Sequence, residues 1–249
     1  MQPDRYTRTI SKAFGDHAKE YDENSSIQKR IAETLITYCP DFDHAPRILE
    51  IGCGTGHLTH LLLGKYNNAD FVITDINSDM RDVCIGKCGN GAHTQDVEYH
   101  AMNGEYLDPN LGKFDLIVSG MTVQWFQDTE CSVEKWKNFL SDNGQIHLST
   151  LGDGYFSEWR DAMMRSNVKS RLLLSPSLPK DMQTQMLTLT ENYKNAVGFL
   201  RHLKGTGAST SLPNTGFLTT KELMRVIKSY DEKYRGEMTW KIAIGSWTP

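Results

Sequence analysis

The chain predicts a doubly wound α/β fold: a Rossmann-like, seven-stranded, mostly parallel sheet with an antiparallel final strand, N-terminal helices and a helical lid insertion. Three observations carry this. The run Arg47-Ile48-Leu49-Glu50-Ile51 breaks at Gly52-Cys53-Gly54-Thr55-Gly56 and resumes as Leu58, Leu61, Leu62 and Leu63, a buried strand turning abruptly into a helix. Short apolar runs then alternate with helical periodicity as far as residue 151, the pattern of parallel strands joined by crossover helices. Finally, the stretch from Met238 to Trp247 alternates with period two, as a half-covered antiparallel strand does.

Element by element, helices are expected at 10–15 and 26–39, flanking the segment around Tyr21 and Asp22. Strands follow at 47–51, 70–75, 97–102, 114–119 and 144–151, with helices at 58–66, 78–86 and 131–140 between them. Beyond 151 the alternation lapses. A helix over 156–168 leads to a proline-bearing loop at 175–179, then a strand at 184–190 and helices at 193–204 and 219–233. Thr219 with Glu222 three residues on has the form of a capping box. The reading is one domain, 1–249, with an N-terminal cover over 1–45 and a lid insertion over 152–183.

A length of 249 residues suits one such domain carrying an insertion. The net charge of -4 gives no global basic field, so a nucleic-acid partner is not expected. No apolar run approaches membrane-spanning length, and Met1-Gln2-Pro3-Asp4-Arg5 lacks a hydrophobic signal core, so a cytoplasmic protein off the membrane is expected. The cysteines at 39, 53, 84, 88 and 131 are odd in number and scattered, which suits free thiols in a reducing compartment. Cys84 and Cys88 share a helix face, but no second Cys/His pair stands at zinc-like distance, so no metal is expected.

The chemistry gathers at the glycine turn. Gly52, Gly54 and Gly56 allow positive φ and let backbone approach a ligand where a Cβ would collide. Glu50 stands immediately before the first glycine, where a carboxylate would repel a pyrophosphate but suits a cofactor with an ammonium and a sulfonium. Asp75 ends the next apolar run about twenty residues on, the place of a ribose-binding carboxylate. That order of acid, glycines, helix, strand and acid reads as the loop of an S-adenosylmethionine-dependent methyltransferase. Glu50, Gly52, Gly54, Gly56 and Asp75 are therefore assigned to cofactor binding, with Ile76 beside the acid and Cys53 as a small filler whose backbone faces the ligand. Asn103 and Gly104 are read as lining the adenine edge, and Ser119 as sitting at the carboxyl edge of the sheet. Met80 is either a thioether on the adenine or a core residue, and Trp125 either a wall of the reaction chamber or core.

Four stretches together resemble the malonyl-acyl carrier protein O-methyltransferases of early biotin synthesis. They are Ala13-Phe14-Gly15-Asp16-His17-Ala18-Lys19-Glu20-Tyr21-Asp22 with Gln28; Gly52 to Gly56; Ser119-Gly120-Met121-Thr122-Val123-Gln124-Trp125; and Phe199-Leu200-Arg201-His202-Leu203-Lys204-Gly205-Thr206-Gly207-Ala208. The last two discriminate this family from other methyltransferases. Asn103 departs from the aspartate more usual in the family, and the segment between Val168 and Thr184 is short.

The resemblance implies methyl transfer from S-adenosylmethionine to the free carboxylate of a malonyl thioester on acyl carrier protein or coenzyme A, by a monomer. It folds Tyr21 and Gln28 over the methionyl end of the cofactor. The acceptor carboxylate calls for a cation, which assigns Arg201 as its anchor, with Lys204 one turn away and Tyr21 completing the catalytic set. Acyl carrier protein is acidic, so Arg160, Arg165, Lys169, Arg171, Arg225 and Lys228 are the candidate docking cations. A trans-aconitate-type carboxyl methyltransferase, another small-molecule methyltransferase and a non-catalytic cofactor-binding regulator stand as alternatives.

Overall fold

Strand order places every other feature of this molecule. In a computed structural model describing residues 5–18, 20–89, 96–208 and 218–249, seven strands form one sheet in the order β3-β2-β1-β4-β5-β7-β6. They are β1 (Arg47–Ile51), β2 (Asp70–Asp75), β3 (Val97–Ala101), β4 (Phe114–Gly120), β5 (Leu140–Leu151), β6 (Gln183–Asn192) and β7 (Glu237–Trp247). β1 to β5 are parallel, and β7 runs antiparallel to both β5 and β6. The expected sheet is therefore present.

The helices are α1 (Arg5–Gly15), α2 (Ser26–Leu35), α3 (His57–Lys65), α4 (Ser78–Cys88), α5 (Thr129–Trp136), α6 (Ser157–Arg165), α7 (Ala196–Gly205) and α8 (Thr220–Tyr234). Ends differ from expectation where short turns intervene. The helix expected to reach residue 140 stops at Trp136, a 3-10 turn spans Lys137–Phe139, and β5 begins at once at Leu140. The capping box at Thr219 and Glu222 forms as expected.

Ile48, Leu49, Ile117 and Val118 are fully buried because β1 and β4 are covered on both faces. Beyond 151, α6, α7 and α8 pack an aromatic core against the last strand. Phe156 meets Trp240 edge-on at 4.6 Å and Phe199 at 4.9 Å, while Trp159 packs on Tyr230 at 5.7 Å. The segment read as a lid thus starts in α6, inside this core.

Candidate active site

β1 and β4 are neighbours, whereas their chain continuations lead to opposite halves of the sheet, so a crevice opens at their carboxyl ends. A cavity of about 1080 Å3, its open mouth included, lies there. The turn after β1 forms its floor and is tied to β2, with the Gly52 and Cys53 amides both donating to the Thr74 carbonyl, at 2.8 and 2.9 Å. Gly52, Gly54 and Gly56 have φ of 77°, 54° and 93°, yet they serve different ends. A Cβ on Gly54 would meet nothing within 4 Å, because the space beside it is the cavity. One on Gly56 would press on the Cys88 and Cys84 sulfurs at 3.0 and 3.1 Å, so that glycine admits α4.

Both acids are arranged for a ligand richer in hydroxyls and positive charge than in phosphate. The Gly54 amide donates to Asp75 Oδ2 at 2.9 Å and the Asn77 amide to Oδ1 at 2.8 Å, which fixes the carboxyl at the cavity wall and leaves a lone pair on each oxygen for a ribose hydroxyl. Burial raises the Asp75 carboxyl although these two donors oppose it. Glu50 lies beneath the turn and is 1% exposed. The Thr59 hydroxyl donates to its Oε2 at 2.7 Å, Oε1 has no hydrogen-bond partner, and burial pushes the carboxyl up to about 8. An orphaned carboxyl oxygen under a glycine floor suits a cationic ligand above it.

The roof comes from the N-terminus. Thr7, Ile10, Ser11 and Phe14 of α1 line the cavity. Asn77 holds this helix, donating from Nδ2 to the Ser11 carbonyl at 2.7 Å while its Oδ1 accepts the Met80 amide at 2.9 Å and caps α4. Farther on, the 3-10 turn Tyr21–Asn24 is fastened by Asp22, which accepts the Thr55 hydroxyl at 2.6 Å and an ion pair from Lys87. Burial works against the Asp22 charge, but the Lys87 and Thr55 hydrogen bonds prevail and lower its carboxyl.

A second cavity, about 600 Å3 with its mouth, adjoins the first. The two share Phe14, Tyr21, Gln28, Met121 and Trp125. Met121 takes a left-handed φ of 51° at the end of β4, a strained backbone at the junction. Trp125, for which wall and core were both open, lines both cavities and meets Phe14 edge-on at 5.3 Å.

Of the residues assigned from sequence, Tyr21, Gln28, Gly52, Cys53, Gly54, Asp75, Ile76, Met80, Asn103 and Gly104 all line the first cavity. Five do not. Glu50 sits behind the floor, Gly56 packs on α4, and fully buried Ser119 donates to the Ile51 carbonyl at 2.9 Å, joining β4 to β1. Arg201 and Lys204 are exposed and line neither cavity. The phase of α7 explains this correction: Ala196, Phe199, His202 and Leu203 form its buried face, which turns 201 and 204 outward. Lys19 of the N-terminal motif lies outside the described residues.

Sequence reasoning gave no role to Asn77, His57, Thr122 or Glu105, all at the cavity. Asn77, an Asn opening a helix directly after a strand-ending acid, carried a readable capping signal. Glu105 did not, since nothing local announces that its carboxylate is buried against the Gln127 amide, which donates to it at 2.9 Å.

Comparison with known proteins agrees with this geometry. The family described as a methyltransferase domain matches residues 48–144. The chain is 30% identical to the biotin biosynthesis bifunctional protein BioCD of Bordetella avium, over 99% of this chain and 54% of that protein. It is 28% identical to malonyl-[acyl-carrier protein] O-methyltransferase 2 of Ilyobacter polytropus, over 91% of this chain and 90% of the relative. It is also 35% identical to the malonyl-[acyl-carrier protein] O-methyltransferase of Magnetococcus marinus, over 61% of this chain and 55% of that one. The chain thus spans about half the length of the first and third of these relatives and nearly all of the second. A Bacillus halodurans structure assigned as a methyltransferase shares the fold, with a TM-score of 0.60 at 13% identity over 87% of this chain and 97% of that one. Floor, acid and roof around one cleft thus sit on a sheet whose residues 48–144 match a methyltransferase domain, and the chain shares the Rossmann-like fold of the Bacillus halodurans structure.

Proposed function

We propose that this methyltransferase esterifies the free carboxylate of a malonyl thioester carried on acyl carrier protein, as a step of biotin synthesis in the cytosol. The kinship with the Ilyobacter polytropus enzyme, which runs through nearly the full length of both chains, carries the reading. The second cavity supports it, since an acceptor there abuts the cofactor cavity across Tyr21 and Gln28.

The bound cofactor supplies an electrophilic methyl group on a sulfonium. A malonyl carboxylate is ionised at neutral pH and is itself the nucleophile, so no general base is needed. What the chain contributes is alignment and the exclusion of water. Asp75 and the Gly54 backbone seat the nucleoside end, and α1 with Phe14 closes the roof. Tyr21 stands at the boundary, its hydroxyl kept protonated by burial and by the nearby Asp22 and Asp75 charges.

Of the six cations expected to dock a carrier protein, two are committed elsewhere. Arg160 lies over the Tyr155 ring at 4.6 Å and donates to the Tyr155 carbonyl, while Arg165 pairs with Asp161 at 2.9 Å. Arg171 is half-buried, Lys169, Arg225 and Lys228 remain exposed, Lys228 with Glu232 at 3.9 Å, and Arg201 and Lys204 join them as carrier-facing charges. An acceptor panel with labelled cofactor tests the reading: malonyl-carrier protein, malonyl-coenzyme A, free malonate and trans-aconitate. Preferred labelling of malonyl-carrier protein is expected; transfer confined to free acids would contradict it.

A further inference from the structure

The acceptor cavity is electrically unusual for a site that receives an anion. Among the described residues no lysine, arginine or histidine lines it. Besides the indoles of Trp125 and Trp240, the latter donating to the Tyr193 hydroxyl at 3.0 Å, its polar side chains are Tyr21, Gln28, Gln124, Tyr155 and Thr206. Three are spent on the protein itself. Gln124 donates to the Met121 carbonyl at 2.6 Å and accepts from Thr150 at 3.1 Å, Tyr155 donates to the Leu173 carbonyl at 2.6 Å, and Thr206 donates to the His202 carbonyl at 3.1 Å. Among the described residues neither the Gln28 side chain nor the Tyr21 hydroxyl makes a hydrogen bond: Gln28 Oε1 is buried without a partner, and its Nε2 and the Tyr21 hydroxyl are left as uncommitted donors. With the Trp125 indole, these two are also the polar groups shared by both cavities.

Among the described residues the adjoining cofactor cavity offers no lysine or arginine either, burial holds the His57 imidazole in its lining toward the neutral form, and its acids, Asp75 and Glu105, oppose an incoming anion. We propose that the acceptor's carboxylate is held by the neutral donors Tyr21 and Gln28 and takes its counter-charge from the bound cofactor alone, so that acceptor binding follows cofactor binding and depends on its positive charge. This deepens the malonyl reading and rests on it. A fixed arginine would hold the carboxylate whether or not the cofactor is bound and damp its nucleophilicity. Here the attraction exists only between the reacting partners. As the carboxylate oxygen bonds the methyl carbon and the S–CH3 pair returns to sulfur, carboxylate and sulfonium become neutral ester and neutral thioether together. Both products then lose their mutual attraction at the same moment, which favours release.

The test measures the affinity of the full chain for malonyl-pantetheine by calorimetry with either of two cofactor-site ligands. Sinefungin carries an ammonium where the cofactor carries its S-methyl sulfonium, and S-adenosylhomocysteine is neutral at that atom. Malonyl-pantetheine is expected to bind at least about tenfold more tightly with sinefungin, because a charge pair in a water-poor site is strong, while its methyl ester shows no such difference. Tyr21→Phe and Gln28→Leu should each erode the sinefungin-dependent gain. Equal affinity under both ligands would overturn the proposal, as would a Lys19→Ala or Arg201→Ala variant that loses the gain entirely. A separate turnover assay distinguishes the two levels: methylation of malonyl-pantetheine with equal affinities defeats this inference alone, and no methylation of any malonyl thioester defeats both.

Discussion

Glu50 is the residue whose chemistry depends most on what sits above it. With its carboxyl pushed up to about 8, it is mostly protonated at neutral pH in the free protein. A cationic ligand over the glycine floor reverses that preference, so cofactor binding near pH 7 should release a proton. Calorimetry in buffers of different ionisation enthalpy should detect it in the wild type and not in Glu50→Gln. The sign for stability follows the same logic: a carboxyl raised on folding contributes fully below its ordinary value of 4.5, and that contribution is lost as pH rises through about 8. Denaturation midpoints of the free protein should therefore fall across that window more for the wild type than for Glu50→Gln. The glycines separate equally well. Gly54→Val should weaken cofactor binding by a decade or more, roughly the cost of losing the ligand's close approach, because its side chain would occupy the cavity. Gly56→Val should chiefly lower the melting temperature, since its Cβ meets the α4 sulfurs. Equal loss of stability in both would contradict this division.

At the scale of elements, α1 is a roof held at three places. Asn77 grips Ser11, and Asp22 fastens the following turn to Thr55 and Lys87. The third is the late motif: a Cβ on Gly207 would lie 2.8 Å from the Ala13 carbonyl and 3.0 Å from Phe14, and one on Gly205 would meet Asn24 at 2.6 Å. Asp22→Ala should quicken cofactor dissociation in stopped-flow experiments by roughly three- to tenfold, a modest figure because the ion pair is partly solvated. An unchanged rate would show that the roof does not depend on this fastening. The late motif also shows where the sequence was legible and where it was not. Strands β1 to β5 announced themselves because a strand covered on both faces is a continuous apolar run bounded by breakers. The phase of α7 was legible too, since Phe199, His202 and Leu203 define one face and place Arg201 on the other. Assigning Arg201 to the acceptor followed chemical need and overlooked that phase. The clamp of Gly205 and Gly207 on the N-terminus was not legible, because it joins backbones almost two hundred residues apart and leaves no local pattern.

The whole molecule divides its labour between a nearly neutral interior path and a charged exterior. Lysine and arginine are absent from the lining of both cavities among the described residues, while Lys169, Arg201, Lys204, Arg225 and Lys228 stand exposed. Such exposed charges steer an acidic partner within a Debye length and do little for a small ligand. Charge reversal of Arg201 and Lys204 together should raise KM for malonyl-carrier protein by roughly tenfold, more at low salt than at high, with a much smaller effect on malonyl-pantetheine. Equal effects on both would place the carrier elsewhere. The central claim is that a malonyl carboxylate on a carrier protein is the methyl acceptor. Intact-mass spectrometry of malonyl-acyl carrier protein after incubation with the enzyme and methyl-labelled S-adenosylmethionine tests it most directly. One labelled methyl group on the malonyl moiety, removed by mild ester hydrolysis with the thioester retained, is the predicted result; an unlabelled carrier protein, or label on any atom other than that carboxylate, would contradict it.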